Sequence, residues 1–337
     1  MIKDVYLDHA AASFPLAPGA EDAMEKCRSL PREPQLLDAA VQELQQRLCR
    51  LLNAPSPQTV QLVPEPVHPL FCLLQRILSS EDKVLTLPGY RDELLRYRKP
   101  QQVEEIPLGR DGLPALEQLS PILSQAKAVI VPHADFQTGA LQPIAALGRL
   151  CRKAGCLLLV DAAQSIGRVS IDMAALDVDA LSFSSCNGLL GPRGIHILVT
   201  GDTLTPVLAA STAFPSSPSF DPPALYGFLA ALTYFESHAA ILMERQRRLG
   251  GHLWARMKEY DGEGLSVPGP GPLDRVGIVS VDFSRQDNER AALLLKQRYH
   301  VHASVFQGMV RFSAGPFLSF EDIDYVQGAV GTLASEE

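Results

Sequence analysis

At 337 residues the chain is long enough to bury a sizeable core, as one large domain with a smaller one beside it. A composition 46% hydrophobic and 20% charged excludes a disordered chain, and a formal net charge of −8 argues against a nucleic-acid or anionic-membrane partner. No apolar run reaches the roughly 18 residues that a membrane-spanning helix needs.

The six cysteines lack CxxC spacing, which excludes a zinc or disulfide framework and suits a reduced, cytoplasmic setting. The opening MIKDVYLDHAAASF has acidic residues and no long apolar stretch, so no secretory signal is expected. VYLD gives a short strand. Residues 18–53 are helical in pattern, strongest in LLDAAVQELQQRLCRLLN, and Asn53 and Pro55 end them. TVQLV (59–63) is a strand, PEPVHP a turn, LFCLLQRILSS a buried helix, KVLTL (83–87) a strand, and PGYRDELLRYR the opening of a helix. AKAVIVP (126–132) is a strand, followed by a loop and a helix in ALQPIAALGRLCRKAG. Strands and helices alternating in this way predict an α/β fold with a mainly parallel sheet.

Residues 156–194 carry the centre of the chain. Leu157–Val160 and Ala180–Phe183 read as buried parallel strands joined through Gly167 and the short helix MAALDV. Ligands in such sheets sit at the carboxyl ends of the strands. Those ends carry Asp161 and Gln164 on one strand, and Ser184, Ser185, Cys186 and Asn187 on the other.

Beyond Gly194, IHILVT reads as an antiparallel edge or returning strand, 201–223 as a loop, and ALYGFLAALTYFESHAAILMERQRRLGGHLWARMKEY as one or two long helices. VGIVSVDF is a strand, NERAALLLKQRY a helix, VHASVF and MVRFSA are short strands, and a last helix follows Ser319 as N-cap. The expected division is a large α/β domain over 15–204 and a small α+β domain over 205–337 that also takes in the N-terminal segment 1–14. His300 and His302 alternate on one strand without a third ligand, so no metal site is expected.

Five stretches, in order, resemble the class V aminotransferase and cysteine desulfurase family of pyridoxal-phosphate (PLP) enzymes. They are YLDHAAASF (6–14), HADFQTGALQPI (133–144), VDAAQSIG (160–167), SFSSCNGLLGPRG (182–194) and MVRFSAGPFLSFEDID (309–324). The resemblance implies the fold of type I PLP enzymes, with a mainly parallel seven-stranded sheet. It also implies a PLP site in which Asp161 meets the pyridine nitrogen and Gln164 the phenolic oxygen. Ser184, Cys186, Asp135 and Arg91 fall on further cofactor positions, Arg91 on that of a ring-stacking histidine. Arg311 and His9 fall on substrate-binding positions, Arg311 on that of a carboxylate-binding arginine.

The sequence departs from this pattern where the chemistry is most demanding. Asn187 stands where the family has its Schiff-base lysine, and an amide cannot form an imine. The phosphate turn falls on Pro64-Glu65-Pro66-Val67, where proline lacks N–H donors and Glu65 would repel the anion. No cysteine follows Cys186, so the loop nucleophile of desulfurases has no counterpart. The family segment that crosses to a partner's phosphate is not recognisable in SSPSFDPPALYG. The expectation is a member without catalytic residues that acts as a binding or dimer-partner protein. PLP is then either absent or held otherwise than as a lysine aldimine. A homodimer, or a heterodimer with an active paralogue, and a small carboxylate ligand are implied by the resemblance. The alternative is a PLP-binding desulfurase, lyase or aminotransferase with non-standard chemistry.

Overall fold

The computed structural model describes residues 4–29, 34–64, 68–109, 112–209, 220–271 and 274–336. In chain order, β1 (Val5–Tyr6) leads to α1 (Ala20–Arg28), α2 (Pro34–Leu52), β2 (Val60–Pro64), α3 (Pro69–Ile77) and β3 (Val84–Thr86). After them come α4 (Arg91–Leu95), β4 (Val103–Glu105), α5 (Ser120–Leu123), β5 (Ala128–Pro132), α6 (Ile144–Ala154) and β6 (Leu157–Asp161). Then come α7 (Met173–Leu176), β7 (Ala180–Ser184), β8 (Ile195–Thr200), α8 (Thr205–Ala209), α9 (Pro222–Lys258) and β9 (Leu265–Ser266). The chain closes with β10 (Ile278–Phe283), α10 (Asn288–Tyr299), β11 (Val301–His302), β12 (Ser304–Phe306), β13 (Met309–Ser313) and α11 (Phe320–Ser335).

Seven strands form one sheet in the order β2-β8-β7-β6-β5-β3-β4. All neighbours are parallel except at β8, which runs antiparallel to both β7 and β2. IHILVT is therefore a returning strand inside the sheet, with β2 outside it. The apolar runs face two ways because side chains alternate along a strand. Val129, Val131, Leu158, Val160, Leu181 and Phe183 point into one core with α2, α6 and the first half of α9. Ala128, Ile130, Leu159 and Ala180 point into a second core with α3 and α4. Burial on both faces is why these strands lack a polar face.

A second sheet, β12-β13-β10-β9, packs against α10 and α11 around a separate core. That core takes in Val5 and Leu7, since β1 pairs in parallel with β11. Helix α9 serves both cores, Ala224–Leu242 in the large one and Leu249, Leu253 and Met257 in the small one. At about 1.5 Å per residue its 37 residues make a strut of about 55 Å.

Several details differ from the sequence reading. The helical stretch 18–53 is divided into α1 and α2, with 30–33 outside the described residues. The stretch after β3 is a short 3₁₀ turn at Pro88–Tyr90 and only five residues of helix. Within the expected loop 201–223 the chain forms α8. Strands β4 and β9 were not expected: VEE carries two glutamates and LS is two residues long. Ser319 caps α11 as expected, its Oγ accepting from Asp322 N while Asp322 Oδ2 accepts from Ser319 N.

Candidate functional site

The carboxyl ends of β2, β3, β5, β6 and β7 lie on one edge of the large sheet, and each carries a polar residue at the strand end or in the turn after it. Those residues are His68, Tyr90, His133, Asp161 and Asn187. Asp161 is the floor. It is 4% exposed, and its Oδ2 accepts a 2.8 Å hydrogen bond from the Tyr90 hydroxyl. His68 Nε2 lies 3.6 Å from the same oxygen, beyond hydrogen-bond range but close enough to act through charge. Oδ1 accepts from Ala163 N at 2.9 Å. Burial pushes this carboxyl up, but His68, the Ala163 N–H and the Tyr90 hydroxyl together hold it below its ordinary value.

Tyr90 is the counterpart. It is 2% exposed, and burial, with the Asp161 charge next, raises its phenol well above the ordinary range. Its ring stacks on Phe136, centroids 5.7 Å apart at 13°, and Phe136 continues to Phe306 at 6.3 Å. On the other side Phe71 is 6.3 Å from Tyr90 and 4.3 Å from His68. An aromatic row thus runs from His68 through Phe71, Tyr90 and Phe136 to Phe306, and it reaches the carboxylate at Tyr90 and His68.

Asn187 closes its own turn. Its Oδ1 accepts from Ser184 N at 2.8 Å, and its N–H donates to Ser184 O at 3.2 Å. Its carbonyl accepts from Ser13 Oγ at 2.5 Å. Ser184 Oγ donates to Ile195 O at 3.2 Å and lies 3.4 Å from Cys186 Sγ. The turn is locked to the Asp161 segment at Gly167 and Gly188, whose backbones touch. A Cβ at Gly188 would collide with the Ile166 carbonyl, and one at Gly167 with that of Gly188.

Gln164 Nε2 donates to Ala10 O at 2.9 Å, while its Oε1 is buried without a partner. Asp135 is committed to its own loop, its Oδ1 accepting from Gln137 N, Thr138 N and Thr138 Oγ1. Arg91 pairs with Glu105, Nε to Oε1 at 3.3 Å, while its neighbour Tyr90 takes the contact with Asp161. Arg311 is 5% exposed and internally engaged: with Asp8 at 3.6 Å, with Phe136 O at 3.2 Å, with Ser304 Oγ at 3.3 Å, and over the Phe306 ring at 4.6 Å. Burial pulls it down and Asp8 opposes that. His9 is buried against Gly315, and burial followed by the charge of Arg168 depresses it to about 3, so it is neutral. His133 is lowered to about 4 by burial.

Asp161, Gln164, Ser184, Cys186 and Asn187 therefore line the same two turns. Asp135 and Arg311 lie at the Phe136 end of the row, and Arg91 stands apart from it. His68 and Tyr90 were missed as site residues. Their only signal was position, four residues beyond the end of a strand that the topology brings to Asp161. Of the phosphate-turn residues, Glu65, Pro66 and Val67 lie outside the described residues, as do 216–219 of SSPSFDPPALYG. His300 and His302 lie 3.4 and 3.1 Å from Asp4, and no group of three or more metal-ligating side chains is poised for an ion among the described residues. No helix among those residues is long and apolar enough to cross a membrane.

A family model described as Aminotransferase class-V matches residues 93–215, which include both turns. The cysteine desulfurase IscS of Escherichia coli O139:H28 is 27% identical over 258 residues, 66% of this chain and 63% of the relative. IscS of Shigella boydii serotype 18 gives the same figures. The chain thus spans about 63% of the length of the curated relatives it matches. Among solved structures, the apo cysteine desulfurase of Thermococcus onnurineus NA1 superposes with a TM-score of 0.83 at 20% identity, covering 98% of this chain and 94% of that one. The cysteine desulfurase CsdA of Escherichia coli does so with 0.79 at 20% identity, covering 98% and 94%. At these identities the structural likeness is one of fold.

Proposed function

Because this chain belongs to the class V aminotransferase and cysteine desulfurase family, with its type I α/β fold, we propose a function from what the family's centre has become here. The chain is a non-catalytic member that keeps the fold for binding, as a partner to a second copy or to an amine-bearing relative. The observation that carries this reading is the Asn187 side chain, whose oxygen caps Ser184 N where the resemblance calls for a free amine. An amide supplies neither the nucleophile nor the proton carrier that imine chemistry requires.

The floor residues do not fit covalently held PLP. Asp161 Oδ2 already accepts from the Tyr90 hydroxyl, with His68 beside it, and Oδ1 accepts from Ala163 N. A buried carboxylate needs such donors, and here the chain itself provides them. Arg311 likewise faces Asp8 and Phe306, which leave only its Nε without a partner.

A second reading has one observation in its favour. Gln164 Oε1 and His133 Nδ1 are buried without partners, and a reversibly bound small molecule at this edge would satisfy such atoms. One experiment separates the readings. The purified protein is mixed with PLP, reduced with borohydride and digested for mass spectrometry, with melting followed in parallel. The first reading expects neither a lysine adduct nor a melting shift. A shift without an adduct favours the second, and a single fixed lysine overturns both. Sedimentation alone and with an active relative tests the partner role.

A further inference from the structure

A cavity of about 380 Å³ lies away from the Asp161 floor, between the middle of α9 and the segments that follow β6 and precede β10. Two deeply buried arginines, Arg168 and Arg275, line it. Arg168 donates to the carbonyls of Val276 at 3.0 Å and His9 at 3.1 Å, and its Nε has no partner. No carboxylate among the described residues pairs with it, and the charge that acts on it most is the like charge of Arg311. Arg275 donates to the carbonyls of Gly271, Pro270 and Ile278 and lies over Trp254 at 5.7 Å. Burial lowers both to about 10, so both are cations at neutral pH.

Buried charges are ordinarily paired, because an uncompensated one is strongly destabilising. Arg168 has two backbone carbonyls but no carboxylate partner among the described residues, and it borders an open volume in the range of small-molecule sites. Val169, Met243 and Val276 supply apolar wall. At the rim Glu244 is held by Arg247 through two 2.8 Å hydrogen bonds. A guanidinium matches a carboxylate fork, the apolar wall suits a hydrocarbon chain, and the rim glutamate disfavours a doubly charged phosphate.

We infer that this cavity is a binding site for a small aliphatic monocarboxylate, its carboxylate on Arg168 and Arg275 and its chain along α9. The site stands on its own geometry and does not depend on the fate of the PLP centre.

The test is calorimetric titration of the full chain with hexanoate, with 1-hexanol as the uncharged control. Saturable binding of hexanoate and none of hexanol is expected. Ala240→Trp puts a bulky ring at an exposed mouth position of α9 and is expected to abolish binding without loss of folding. Arg168→Met is expected to weaken binding about tenfold or more, the value of a charge-assisted pair. Should that variant fail to fold, Ala240→Trp decides alone. Absence of saturable hexanoate binding overturns the site, and so does equal binding by the Ala240→Trp variant, which would put the carboxylate elsewhere, as at Arg311.

Discussion

The Tyr90 hydroxyl donates to Asp161 Oδ2 at 2.8 Å from a ring that is itself buried, though 71 residues separate the two in the chain. Tyr90→Phe removes the donor and leaves the carboxylate buried. It is expected to destabilise the fold by about 1.5–3 kcal/mol, the range for a hydrogen bond to a charged group. Asp161 is held below its ordinary value in the folded state, so its contribution is complete above about pH 4 and is lost as pH falls through the folded value. Tyr90 has the opposite sign. Its raised phenol contributes below about pH 10, and that contribution is lost as pH rises. Urea denaturation across pH should find the variant less sensitive at both extremes. An unchanged acid limb would contradict the assigned partner.

The buried histidines predict a milder acid effect. His9 and His133 are depressed from 6.5 to about 3 and about 4. Below pH 6.5 the unfolded chain takes up protons that the folded chain refuses, so stability is full above that value and declines towards the folded values. Between pH 7 and 5 the loss should be on the order of 1–2 kcal/mol per histidine. His133→Leu should lose less stability than the parent over that interval, whatever its stability at pH 7. Equal slopes would mean that His133 is protonated in the fold.

The two turns predict a steric effect independent of charge. Gly188→Ala would push a methyl into the Ile166 carbonyl, which belongs to a packed backbone and cannot rotate away. Overpacking of this kind costs roughly 1–3 kcal/mol. Gly271→Ala, where nothing lies within 4 Å, is the matched control. Thermal melting should separate the two, and equal melting temperatures would show that the turns are not in contact.

Much of the large sheet could be read from the chain because strands buried on both faces need continuous apolar runs, as in AVIVP and LLLVD. Where that need lapses, the reading failed: VEE ends at the sheet edge, and LS is a two-residue addition to β10. The position of β8 inside the sheet depends on pairing with β2, more than 130 residues earlier, which no local pattern encodes. The site divides in the same way. Asp161 with Gln164, and Ser184 with Asn187, sit within single turns whose spacing is local. His68 and Tyr90 come to Asp161 only through the sheet order, and the burial of Arg168 depends on His9 and Val276 at opposite ends of the chain.

Asn187→Lys tests whether lysine is the only missing part. The substitution removes the acceptor for Ser184 N and places an ammonium in a site where Asn187 is 7% exposed. With Tyr90 still on Asp161, a pyridine ring would have to share Oδ2 with the phenol that already donates to it. Asn187→Lys alone should therefore bind PLP weakly and give little borohydride-fixed adduct. Combined with Tyr90→Phe, the phenol no longer satisfies Asp161, and the adduct at residue 187 should rise several-fold at equal PLP. Mass spectrometry of the reduced digests reads the difference, with circular dichroism confirming that both variants fold. Equal labelling of the single and double variants would mean that Tyr90 does not obstruct the ring, and that Asn187 by itself accounts for the loss.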